Sequence, residues 1–140
     1  MPGLRLGLGL GLSARAASVS PNLLVNGDFS DGMTGWTDSS SAGGSATVIG
    51  GAFVIDNVTG TARGNQMVTL TPGVSYTLTF TASGQSIPIY DSAAVSIGST
   101  ESGANEITFT ASASADRIGF RNFTTGTSAS IDDVVLRLNS

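Results

Sequence analysis

The sequence predicts an all-β protein, an antiparallel sandwich of two sheets, on three observations. The composition is rich in small polar residues, with 20 Ser, 16 Thr and 19 Gly among 140 residues, which is typical of β proteins with many turns. Short runs of β-branched or aromatic residues recur between these turns, and no helical periodicity is long enough to compete. Tyr76, Leu78 and Phe80 alternate with threonines, as in a strand with one buried face.

Ten segments of the chain are predicted strands. Each is bounded by glycine- or serine-rich turns, and Ile107 and Phe109 repeat the alternation with threonine that marks the strand of Tyr76. In chain order the predicted strands are residues 23–25, 46–49, 52–57, 66–70, 76–82, 87–90, 94–97, 106–110, 118–123 and 131–138.

The chain divides near Pro21 into an extended N-terminal arm with its linker, residues 1–20, and a sandwich domain, residues 21–140. In the arm, leucines occupy every second position among glycines, which favours an extended strand that adds to a foreign sheet edge. Burying these side chains only offsets the entropy lost on ordering the backbone, so we expect the arm to need a partner subunit. The leucines are Leu4, Leu6, Leu8, Leu10 and Leu12.

Two other interpretations of the arm are weaker. Arg5, an apolar stretch and the small residues around Arg15 resemble a secretory signal, but the stretch is short and broken by glycines, so we expect it to be retained. Residues 9–14 fit a dinucleotide-binding pattern on paper, yet no predicted strand precedes them and no helical pattern follows.

The composition also excludes several function classes. The chain has a net charge of −4 and no lysine, histidine or cysteine, so it lacks the basic surface that nucleic-acid binding requires and any thiolate metal site. No apolar run reaches the length of a membrane span. Nucleophilic and general-base arrangements that use those three residue types are absent, and no spaced carboxylate pair stands out, so we expect no enzyme.

Three landmarks carry a family resemblance. Residues 22–29, Asn-Leu-Leu-Val-Asn-Gly-Asp-Phe, followed by Gly35-Trp36, resemble the opening of galactose-binding-like jelly rolls, which include several carbohydrate-binding module families. Residues 66–73 leading into 76–80 resemble the central hairpin, and residues 130–134 resemble the last strand. The resemblance covers roughly residues 21–138 and implies a jelly-roll sandwich, in which function is not fixed by the fold.

The resemblance also implies a structural calcium ion between the opening and last strands. Asp132 is the matching carboxylate, whereas the usual acid after Phe29 is replaced by Ser30, so Asp28 or Asp31 would have to compensate. The competing interpretation is that Asp28 and Asp31 stabilise turns beside the neighbouring glycines.

Sugar binding requires aromatic platforms with amides and acids nearby. Trp36 and Tyr76 fall in core motifs, so Tyr90 is the best spare aromatic residue, and Gln85 and Asp91 complete a candidate glycan contact. The alternative is that Tyr90 is an ordinary loop tyrosine that binds no ligand.

The leading functional hypothesis is a non-enzymatic structural protein of a tailed bacteriophage virion. We expect a capsid decoration or the base of a head spike or fibre, present in many copies, anchored by its arm to capsid, spike or tail subunits and able to bind host surface glycans weakly. The alternatives are a secreted carbohydrate-binding module and a tail-associated receptor-binding component.

Overall fold

A computed structural model describes residues 20–139, which form ten strands in two five-stranded antiparallel sheets. The strands are β1 Thr37–Asp38, β2 Gly44–Ile49, β3 Ala52–Asn57, β4 Ala62–Met67, β5 Ser75–Gly84, β6 Pro88–Tyr90, β7 Ser96–Ser99, β8 Gly103–Thr110, β9 Arg117–Asn122 and β10 Thr127–Leu138. The first sheet has the order β1-β4-β9-β6-β7 and the second the order β2-β3-β10-β5-β8. The predicted all-β sandwich is confirmed.

The core lies between the sheets and is built from alternating positions along the strands. In β5, Tyr76, Leu78 and Phe80 are buried while the threonines between them remain partly exposed. Trp36 is buried as well, with its ring centroid 5.2 Å from those of Phe29 and Phe53. The aromatic residues of the opening motif therefore serve packing, as the sequence indicated.

The segment at residues 23–25 is not a strand, so that prediction is wrong. It forms a series of bends in which the backbone of Val25 pairs with a side chain: Val25 N donates to Oε1 of Gln66 at 2.9 Å, and Nε2 of Gln66 donates to Val25 O at 3.0 Å. One amide side chain thus takes the place of a neighbouring strand.

The two ends of the described chain meet on the second sheet. Leu23 N donates to Leu136 O at 2.8 Å, and Nε of Arg137 donates to the carbonyl of Ser20 at 2.8 Å. Arg137 lies on the outer side of β10, since Leu136 beside it is buried. Ser20 therefore lies against the outer face of the second sheet.

The fourth predicted strand, residues 66–70, is displaced toward the N-terminus, because β4 ends at Met67. The first residues of β4 lack β-branched side chains. Gly64 lies so close to the core that a Cβ at this position would be 2.3 Å from the Phe53 ring. A close approach to the core, rather than β propensity, accounts for this strand.

The arm leucines Leu4, Leu6, Leu8, Leu10 and Leu12 lie outside the described residues. Within residues 20–139 there is no helix with the length and apolarity that a membrane crossing requires.

Candidate functional site

The outer face of the first sheet carries a groove of about 260 Å³ formed mainly by β4 and β9. Its walls come from outward positions of both strands, while Ile118 and Phe120 of β9 point into the core. We call it the arginine groove. It is lined by Ser39, Arg63, Gly64, Asn65, Ala93, Arg117, Gly119, Phe120 and Arg121.

The strand register determines which residues lie beside each other in the groove. Arg121 of β9 is paired with Arg63 of β4, and Gly119 is paired with Asn65 on one side and with Tyr90 of β6 on the other. Gly119 is buried at the floor of the groove, where a Cβ would lie 3.3 Å from Cβ of Asn65. Glycine at this position lets the side chain of Asn65 pack closely beside the backbone of β9.

The arginines have different partners. Arg117 forms the one salt bridge among residues 20–139, with Nε 2.7 Å and Nη2 3.0 Å from the two carboxylate oxygens of Asp116. Hydrogen bonding to Arg117 lowers the pKa of Asp116. Arg121 packs its guanidinium carbon 3.9 Å above the ring centroid of Tyr90, a cation–π contact, and Nη2 donates to Ser92 O at 3.4 Å.

Arg63 and Arg121 have no carboxylate partner in the described chain. Nε of Arg63 is buried and makes no hydrogen bond within residues 20–139. Burial lowers the pKa of Arg121, and the positive charges of Arg63 and Arg117 lower it further. The groove therefore concentrates positive charge in a protein whose net charge is −4.

The three predicted glycan contacts do not form one surface patch. Tyr90 is half-buried on the outer face of the first sheet beside the groove. Asp91 is fully buried, and its carboxylate accepts hydrogen bonds from N and Oγ of Ser112, both at 2.8 Å. Gln85 lies at the end of β5, where its backbone N donates to Ser128 O. The charged side chain that lies beside Tyr90 on this face is Arg121, whereas Asp91 is buried.

The residues predicted to hold calcium lie near each other without forming a cage. Burial raises the pKa of Asp132, as do the nearby charges of Asp133 and Asp28. Each of the predicted carboxylates already accepts local hydrogen bonds, Asp28 from Ser30 and Asp132 from the backbone N of Asp133 at 2.7 Å.

Calcium requires six to eight oxygen ligands. Residues 20–139 contain no cluster of three acidic side chains placed to hold a metal ion. Acidic side chains alone do not supply this number of ligands in the described chain, and calcium at Asp28 and Asp132 stays a prediction.

The sequence contained a signal for the groove. Arg117, Gly119 and Arg121 alternate with the apolar residues Ile118 and Phe120, the period-two pattern of a strand with an outward polar face. The same pattern marks threonines as the outward residues of other strands. The pairing with Arg63 depends on the register of β4, which the sequence did not predict.

Comparisons with known proteins agree with this fold. A family model described as "Carbohydrate binding domain" matches residues 21–140, whereas no curated protein matches the chain. The chain is similar to the enzymatically active domain of tailspike protein 4 of bacteriophage CBA120, with a TM-score of 0.60 and 18% identity over 99% of this chain. It spans 26% of that tailspike chain.

Two carbohydrate-binding modules are also similar. TmCBM61 in complex with beta-1,4-galactotriose gives a TM-score of 0.54 at 17% identity, over 86% of this chain and 100% of that one. A CBM29-2 variant complexed with mannohexaose gives 0.52 at 16% identity, over 74% and 81% of the two chains. At these identities the structural likenesses support the fold alone. The family model spans most of the sequence, and the chain therefore belongs to the carbohydrate binding domain family.

Proposed function

We propose that this protein binds glycans in the arginine groove. The observation that carries the proposal is a groove with convergent polar side chains on the outer face of a sheet, in a chain of the carbohydrate binding domain family. Guanidinium and amide groups donate several hydrogen bonds each, and Gly119 adds no side chain to the lining of the groove.

Tyr90 supports the same function. Its ring borders the groove beside Gly119 and holds the guanidinium of Arg121 in place. A cation fixed on an aromatic ring presents its remaining N–H groups in a defined direction, which reduces the entropy lost when a ligand binds.

A glycan array followed by calorimetry tests this proposal. We expect saccharide binding by the full chain and a loss of at least about tenfold in affinity for Tyr90→Ala, because the support of Arg121 is removed. The matched control is Phe123→Ala, which removes another accessible aromatic ring, one that is 49% exposed outside the groove. A flat response across plant, bacterial and animal glycans would contradict the proposal.

We infer a binding rather than a catalytic role. The chain contains no histidine, cysteine or lysine, and its family is described by binding. The charged groups of the groove are arginines, which stay protonated and do not serve as general acids or bases at neutral pH.

A second candidate function is a structural role in a tailed bacteriophage virion, as capsid decoration, head-spike or fibre base, or tail-associated receptor-binding component. The observation that favours it is the likeness to a bacteriophage tailspike domain along 99% of this chain. In this proposal the leucines of residues 4–12 attach many copies of the chain to capsid, spike or tail subunits. The two functions are compatible, because a displayed domain can bind host glycans.

Deletion of residues 1–12 tests the attachment. We expect the truncated protein to be lost from particles while its glycan affinity stays unchanged, since the groove lies within residues 39–121. Full-length Tyr90→Ala is the matched control and should be incorporated normally. Unchanged occupancy of the truncated protein would overturn the virion role without affecting the glycan proposal.

A further inference from the structure

The positively charged side chains of the described domain are concentrated in the arginine groove. Three of the four arginines in residues 20–139 lie on this one face, although acidic residues outnumber basic ones in the chain by ten to six. All ten acidic residues lie within the described part of the chain, and only Asp116 forms a salt bridge there. Arg63 and Arg121 are left without a carboxylate.

The arrangement of these two arginines carries an energetic cost. They are paired in the register of β4 and β9, and like charges in that position destabilise a sheet. Nε of Arg63 is also buried without a hydrogen-bond partner in residues 20–139, which costs further free energy. An anion bound between the two guanidinium groups would offset the repulsion between them.

The groove is poorly equipped for a neutral sugar. Neutral pyranoses are held largely by stacking on an exposed aromatic face. Here one face of Tyr90 is covered by Arg121, and Trp36 is only 5% exposed and packs in the core. The groups that remain available are guanidinium donors, whose planar geometry matches a carboxylate through paired hydrogen bonds.

We therefore propose that the groove selects acidic glycans and receives a sugar carboxylate between Arg63 and Arg121. This inference rests on the proposed glycan-binding function and narrows it to a ligand class. Arg117 contributes less, because Asp116 already occupies its guanidinium edge. The ring of the same sugar lies in the groove beside Gly119.

Matched polysaccharides test the ligand class. The full chain is titrated calorimetrically, at physiological salt, with polygalacturonate, alginate and hyaluronan, each beside its carboxyl-reduced form with the same backbone. We expect at least one acidic polymer to bind at least about tenfold more tightly than its reduced form. Arg63→Gln and Arg121→Gln should each remove most of that difference.

Arg137→Gln is the control, since it removes the same charge from the second sheet and should leave the preference intact. If Arg137→Gln reduced the preference for acidic polymers as much as Arg63→Gln and Arg121→Gln do, the attraction would be a general effect of positive charge, and the inference would be overturned. Tighter binding of dextran sulfate than of every carboxylate polymer would also overturn it, in favour of sulfate.

Two results separate this inference from the proposed function. Equal binding of the acidic and reduced forms, lost in Tyr90→Ala, would overturn the acidic class and leave glycan binding standing. No binding of any polymer here or of any glycan on the array would overturn both.

Discussion

Tyr90 and Arg121 illustrate how one side chain changes the chemistry that another can offer. An isolated tyrosine on a sheet surface is a stacking platform for a sugar ring. With the guanidinium of Arg121 3.9 Å above its ring, Tyr90 instead supports a hydrogen-bond donor. The sequence identified the aromatic residue of this pair but not its partner, because the two lie 31 positions apart.

Asp91 is predicted to act in folding rather than in ligand binding. In Asp91→Asn the amide NH₂ must replace a carboxylate oxygen that accepts from Ser112, so we expect the free energy of unfolding to fall by about 2 kcal/mol. Urea denaturation measures this, with the exposed turn residue Asp31→Asn as control. A variant of normal stability that fails to bind glycan would contradict the assignment.

Asp132 is predicted to be a site of mild electrostatic strain. Because burial and the charges of Asp133 and Asp28 disfavour its carboxylate, Asp132→Asn should raise the melting temperature at neutral pH in the presence of a chelator. Differential scanning calorimetry of the variant and the parent checks this. Calcium that stabilises the parent but not the variant would instead support the calcium site.

At the scale of elements, alternation predicted the strands that have one buried face. β5 and the second half of β8 follow directly from it, since their inward residues are mostly large and apolar and their outward residues are mostly threonine. β4 was misplaced because Arg63, Gly64 and Asn65 carry little β propensity. Its position depends on fit against Phe53, which is a tertiary contact that no local pattern encodes.

The segment before β1 shows a different limit of prediction. Residues 23–25 have the composition of a strand, but Val25 pairs with the side chain of Gln66 and only Leu23 bonds to the backbone of β10. A sequence pattern predicts which backbone prefers to be extended, whereas it does not predict which group satisfies its hydrogen bonds.

Gly64 and Gly119 allow an element-level prediction, since they lie on neighbouring strands and face opposite sides of the sheet. Gly64→Ala should lower the free energy of unfolding by about 1 to 3 kcal/mol, because its Cβ would lie 2.3 Å from the Phe53 ring. Gly119→Ala should cost less and weaken glycan binding by narrowing the groove. Chemical denaturation and calorimetry of both variants check this, and equal loss of stability would contradict it.

At the scale of the whole molecule, contacts among the described residues link the first and last parts of the sandwich. The buried apolar residues run from Leu24 to Leu136, and Leu23 is bonded to the last strand. We therefore expect a protein that begins at Ser20 to unfold at the same urea concentration as the full chain. A lower midpoint would indicate that the preceding residues pack on the domain.

The two faces of the sandwich have different consequences for presentation. The chain enters the described domain at Ser20, held by Arg137 on the outer face of the second sheet, while the arginine groove opens on the outer face of the first. A support joined directly at Ser20 would lie on the side of the domain opposite the groove and would leave the groove facing the solution. Rows of such copies would meet a long polymer with many weak contacts at once, and retention would rise steeply with packing density.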